Sequence, residues 1–145
     1  MRLGFEVVPS AGDDARGEIR AAFPFGRLRR NGPEGLELVE IQLHKRRAAA
    51  FRLNIGIAPP EGVDHFTGQH IAQEDIWVGY LDHFYELYRS PMFRIWFAVR
   101  RWSWSKRAVT EGDCGALVDE VIGFLPEVEQ ALREGRAGPH VRRIG

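Results

Sequence analysis

A single cysteine, Cys114, leaves this chain no internal disulfide to form. Lysine is nearly missing as well: of 20 basic residues only Lys45 and Lys106 are lysine. That bias reads as genomic base composition, although arginine is also the better bidentate ligand for anions. No apolar run approaches the ~20 residues needed to span a bilayer. Residues 1–8 hold no apolar core of signal-peptide length before Pro9, Gly12, Asp13 and Asp14 intervene. With a lone thiol, these absences point to a reducing cytoplasm. Net charge is zero, 20 basic against 20 acidic residues, which argues against a dedicated nucleic-acid coat. Gly-rich phosphate loops, a Gly-x-Ser-x-Gly elbow and paired-carboxylate catalytic motifs are all missing, so no motif names a reaction.

What remains is an ordinary globular composition in 145 residues, enough for one domain. A chain of this size buries roughly two-thirds of its unfolded surface and needs no metal or disulfide to hold it. We expect a single α+β domain over residues 1–138 and a basic C-terminal tail over 139–145. The charge is segregated even though its total vanishes. Residues 89–107 carry six basic side chains and no acid, residues 61–86 six acids and no base, and residues 111–134 seven acids against Arg133 alone. Such blocks form either mutually complementary surfaces or a basic patch for an anionic partner.

Three stretches alternate apolar and polar with period two, the spacing of half-buried strands. They are Leu36 to Lys45, Phe51 to Ala58 and Phe93 to Trp104. Val39, Ile41 and Leu43 oppose Glu40, Gln42 and His44. Phe51, Leu53, Ile55 and Ile57 oppose Arg52, Asn54 and Gly56. Phe93, Ile95, Phe97 and Val99 oppose Arg94, Trp96, Ala98, Arg100, Trp102 and Trp104. Shorter strands fit Leu3 to Val8 and Phe25 to Arg30, the latter closed by a turn at Asn31-Gly32-Pro33. Ser10 and Asp13 suggest a cap for a helix from about Ala11 to Phe23. Val63 to Gln73 reads as a loop. Asp75 to Arg89 has apolar residues at helical spacing, with Gly79 against it and Pro91 setting its end. Thr110 to Asp113 caps a C-terminal helix with Leu117, Val121, Ile122, Phe124 and Leu125 on one face; Pro126 either kinks it or starts a second helix. The result is an α+β fold: an antiparallel meander sheet with an N-terminal helix and a C-terminal helix packed on its oily face.

The run Leu38-Val39-Glu40-Ile41-Gln42-Leu43-His44-Lys45, followed by Phe51-Arg52-Leu53-Asn54-Ile55-Gly56-Ile57, resembles a bacterial family, domain of unknown function number 4304. Members of that family pair a strand with a central Gln and a strand ending in an aromatic-x-x-Asn-x-Gly pattern, and close with a C-terminal helix. Gln42, Asn54 and Gly56 sit where those residues fall. The resemblance covers residues 36–58, supports the α+β class and transfers no catalytic residue.

The polar sheet face is the candidate site. Gln42, His44, Arg52, Asn54, Arg94, Trp96, Arg100 and Trp102 would stand out together from neighbouring strands. Arginine holds carboxylate or phosphate and tryptophan offers a flat face for a ring or a cation. The competing interpretation is a solvated face where Arg94 and Arg100 pair with Glu37 or Glu40. The first functional expectation is therefore a non-catalytic module binding a protein or an anionic small ligand, without cofactor. The aromatic segment 77–104 could also make a homodimer surface.

Two other readings stay open. Arg100 to Arg107 interleaves basic and aromatic residues as single-strand nucleic-acid platforms do, with Arg27-Leu28-Arg29-Arg30 and Lys45-Arg46-Arg47 beside it; neutral net charge and the lack of a nucleic-acid motif weigh against it. Asp64, His65, His70, Glu74, Asp75 and His83 offer metal-ligand chemistry for a hydrolase or nuclease, but their spacing matches no metal motif and a polar surface loop explains them better. Cys114, near a helix start, reads as a packed, inert thiol.

Overall fold

Alternating side chains build the centre of the molecule. The computed structural model describes residues 4–8, 26–44, 50–89, 96–98 and 110–145. β3 (Leu36–Leu43) and β4 (Ala50–Ala58) pair antiparallel along their whole length, from Leu36↔Ala58 to Leu43↔Phe51. β2 (Arg27–Asn31) lies on the far side of β3, and β1 (Glu6–Val8) on β2. The opposite edge of β4 takes two short strands: β7 (Phe84–Leu87) pairs with Leu53 to Ile55, and β8 (Phe97–Ala98) with Ala50 and Phe51. β9 (Val141–Ile144) pairs antiparallel with β7. Among the described residues the sheet thus has seven strands, in the order β1-β2-β3-β4-β7-β9, with β8 also pairing on β4. β5 (Val63–Asp64) and β6 (His70–Ile71) form a separate small hairpin.

One α-helix is present among the described residues, α1 (Glu111–Glu134). Thr110 Oγ1 accepts from Asp113 N, and the Asp113 carboxylate accepts from Thr110 N, a reciprocal capping box. Gly135 ends the helix at φ 66°, in the left-handed region that glycine enters without a Cβ penalty. Pro126 neither ends the helix nor starts another; α1 is continuous through it. Leu117, Val128, Ala131 and Leu132 press on Val39, Leu53, Ile55, Leu87, Phe97 and Val141 to form the main core. Arg30 ties helix to sheet. Its Nε donates to Glu37 at 2.6 Å, and Nη1 and Nη2 donate to Glu129 at 2.7 and 3.0 Å.

The antiparallel sheet and the C-terminal helix on its oily face agree with the sequence reading. Several other expectations do not. The helix expected over Asp75 to Arg89 is instead two single 3-10 turns, Gln73–Asp75 and Val78–Tyr80, followed by β7. The reason is the vacant edge of β4, whose backbone groups a strand can satisfy and a helix cannot. Residues 139–145, expected as a basic tail, supply β9, with Val141 in the core. Part of the 63–73 loop forms the β5–β6 hairpin. The N-terminal helix expected over 11–23 and most of the strand expected over 93–104 lie outside the described residues. Of that strand, Phe97 falls on the helix side and stacks on Phe51 at 5.6 Å between ring centres.

Candidate functional site

The face of the sheet turned away from α1 is half oily and half polar. At one end Leu36, Leu38 and Ala58 are covered by Ile76 and Val78, from the segment that follows the β5–β6 hairpin. Gly56 lets that segment lie close, since an added Cβ there would stand 2.5 Å from Leu81 Cδ1. Toward the middle the apolar residues give way to a polar row. Register sets Arg27 beside Glu40, Glu40 beside Asn54, Asn54 beside Glu86 and Glu86 beside Arg142, one residue from each of β2, β3, β4, β7 and β9. Side chains at these positions share a face because strand residues alternate. Four of the five are buried: Arg27 at 8% exposure, Glu40 at 1%, Asn54 at 6% and Glu86 at 4%.

Most of the row is internally satisfied. Arg27 donates to the Ile76 carbonyl at 3.0 Å and lies over the Trp77 ring at 4.7 Å. Arg142 donates twice to Glu86 Oε2, at 3.0 and 2.7 Å, and Arg52 Nη1 approaches Glu86 Oε1 at 3.4 Å. Gln42 Oε1 accepts from Arg52 Nε at 3.1 Å and from Asn54 Nδ2 at 2.9 Å. Arg52 also caps the Trp96 ring at 4.6 Å, and His44 meets the same ring edge-on at 4.7 Å.

Two acceptors stand apart. Glu40 Oε1 accepts from Val78 N at 2.7 Å, the only hydrogen bond of that carboxyl among the described residues. Burial pushes the Glu40 carboxyl up to about 7, against the pull of the Val78 N–H and the Arg27 charge. Asn54 Oδ1 is buried and has no hydrogen-bond partner among the described residues. An orphaned buried acceptor costs about 1–3 kcal/mol unless something donates to it. Both groups line a cavity of about 270 Å³, walled by Glu40, Gln42, Arg52, Asn54, Trp77, Gly79, Tyr80, Phe84 and Glu86. Its size falls just below the roughly 300–1,000 Å³ common for ligand pockets, which limits an occupant to about a single ring.

Of the residues proposed from sequence, Gln42, His44, Arg52, Asn54 and Trp96 come together on this face. Arg94, Arg100 and Trp102 lie outside the described residues. Glu37, considered as a partner for the exposed arginines, sits on the helix side with Arg30. The sequence reading missed Glu86 and Trp77, because both fell inside a stretch read as helix. Glu40 was visible as a polar position of β3 but was read only as a counter-charge. Of the metal candidates, Asp64 and His70 meet through a 2.8 Å hydrogen bond in an exposed hairpin. Among the described residues, no group of three or more His, Cys, Asp or Glu side chains could hold a metal ion. Cys114 is exposed on the first turn of α1 rather than packed.

The chain matches no protein-family model, no curated protein and no solved structure. The resemblance to family 4304 therefore gains no support from comparison. Among the described residues no helix is long and apolar enough to cross a membrane.

Proposed function

We propose that this protein is a non-catalytic binding module that takes a small flat ligand in the cavity between the polar row and the 77–80 segment. The observation that carries this reading is the Glu40–Asn54 pair. Two deeply buried polar groups, adjacent across β3 and β4, line a cavity: among the described residues the Glu40 carboxyl, pushed up to about 7, has one hydrogen bond and Asn54 Oδ1 has none. Folding stability alone would favour apolar residues there. Rings at Trp77, Tyr80 and Phe84 supply the flat walls that a ring needs. The hydrolase or nuclease reading rests on the Asp64 to His83 residues, of which Asp64 and His70 pair in an exposed hairpin away from this cavity's lining; within the lining, Glu86 is already held by Arg142 and Arg52. The nucleic-acid reading loses two of its arginines: Arg27 is engaged with Ile76 and Trp77, and Arg30 with Glu37 and Glu129.

Gly79 gives a clean test. It lines the cavity, and a Cβ placed on it would meet nothing within 4 Å. The Cβ of a Gly79→Trp change therefore starts in open space, and the variant tests whether a ring attached there obstructs the mouth. In a protein-observed NMR screen of single-ring fragments, hits should shift the backbone amides of Gln42, Asn54 and Gly79. Those shifts should weaken in Gly79→Trp protein of unchanged melting temperature. A screen in which no fragment moves these amides would end the proposal.

A further inference from the structure

The lining of the cavity also discriminates by charge. Its one cation, Arg52, is committed: Nε to Gln42, Nη1 to Glu86 and the guanidinium face to Trp96. An entering anion would find that group occupied and would face Glu40 and Glu86. An entering donor finds the reverse. Among the described residues, Glu40 keeps one oxygen without a hydrogen bond, and Asn54 Oδ1 on the neighbouring strand also lacks one. Trp77, with Arg27 over its ring at 4.7 Å, and Tyr80 are in the lining, and aromatic rings attract positive charge through their quadrupoles.

We infer that the pocket takes an organic cation: a single flat ring bearing an amidinium-type edge, whose paired N–H groups meet the second Glu40 oxygen and Asn54 Oδ1 while the ring lies among Trp77 and Tyr80. This inference rests on the pocket reading above and adds the charge and shape of the ligand. A charged N–H on the remaining Glu40 oxygen makes a charge-assisted hydrogen bond, stronger than a neutral one. A buried carboxylate also gains more from a cation than an exposed one does, because the local dielectric is low. The groups that share its surroundings are Arg27 on β2, Arg52 on β4, Glu86 on β7, and Tyr80 above; of these Glu86 and the two arginines already have partners. Burial pushes the Glu40 carboxyl up to about 7, and a cation beside it lowers that value, so binding near neutral pH releases a fraction of a proton.

The test uses three probes of one shape on the full chain: benzamidine, benzamide and benzoate, followed by calorimetry and by amide shifts. Benzamidine should bind at the amides of Gln42, Asn54 and Gly79, at least about tenfold more tightly than either isostere. Its heat should vary with the ionisation enthalpy of the buffer, as proton release requires. Glu40→Gln, which keeps the acceptor for Val78 N, should weaken benzamidine by at least about tenfold and leave benzamide unchanged. Gly79→Trp should weaken benzamidine as well. If benzamide or benzoate binds at these amides as well as benzamidine does, or Glu40→Gln leaves benzamidine unaffected, the cation assignment is overturned and the pocket reading survives. If benzamidine fails to reach these amides, the assignment is likewise overturned. The pocket reading then stands or falls with the wider fragment screen.

Discussion

Glu40 shows how far a single side chain can be read from its neighbours. It is among the least exposed side chains of the molecule, yet it is a carboxylate with one hydrogen bond. Between about pH 4.5, its ordinary value, and about pH 7, the folded chain binds a proton that the unfolded chain has already lost. Stability therefore falls as pH rises through that window and levels off above it, a loss on the order of 3 kcal/mol from this group. Replacing Glu40 by Gln removes the dependence. Urea unfolding of the two proteins across this window should show the variant gaining on the wild type as pH rises; parallel curves would mean that Glu40 is not held protonated. Residue types were legible at this scale and their environments were not. Gln42, Arg52 and Asn54 could be assigned to one face because β-strands alternate strictly. Nothing in the alternation distinguishes a solvated Glu40 from one capped by Val78, since the cover comes from a segment 38 residues away.

Elements were legible where they carry their own signals. The period-two runs gave β3 and β4 nearly to the residue, and the Thr110/Asp113 box marked the start of α1. The box makes a modest prediction: Thr110→Ala should cost about 1 kcal/mol in denaturant unfolding, the usual value of an N-cap side chain. β7 failed for a physical reason. Its four residues, Phe84–Leu87, share a window with Ile76, Trp77 and Leu81, and together these imitate helical spacing. The edge of β4 decides between the two forms, and that is a tertiary demand. The join between α1 and β2 is similarly invisible in sequence, because Arg30 and Glu129 are 99 residues apart. The Glu129 hydrogen bonds, with help from Glu37, hold the Arg30 guanidinium above its ordinary value, and the Glu129 carboxyl is held below its own. The Glu37 side chain is only 3% exposed, so Arg30→Ala strands a buried charge. The expected loss is about 3–5 kcal/mol by urea unfolding. Arg30→Ala with Glu37→Gln should recover part of it, whereas full additivity of the two changes would dismiss the pair as a unit.

At the scale of the whole molecule, the polar row joins strands that are far apart in sequence into one cross-sheet device. Arg27 begins it near the N-terminal strands, and Arg142 completes it three residues before Gly145. β9 is thus more than an edge. It buries Val141 against α1, pairs with β7 along four residues and places two guanidinium hydrogen bonds on Glu86. Without it, β7 would present a row of unpaired backbone groups, the condition that favours edge-to-edge association. Glu86 would keep only Arg52, a guanidinium also committed to Gln42 and Trp96. Deleting residues 140–145 should therefore do two separable things. It should lower the urea midpoint steeply, through the loss of a buried valine, a strand ladder and an ion pair, and it should promote concentration-dependent assembly visible by size-exclusion chromatography. Arg142→Ala isolates the second contribution of the strand: it keeps the ladder and Val141 but uncovers Glu86, so it should destabilise by about 1–3 kcal/mol without assembly. Equal assembly in the deletion and the point variant would place the hazard in the uncovered carboxylate rather than in the open edge. Monomeric behaviour of the deletion would show that the edge of β7 is protected by something other than β9.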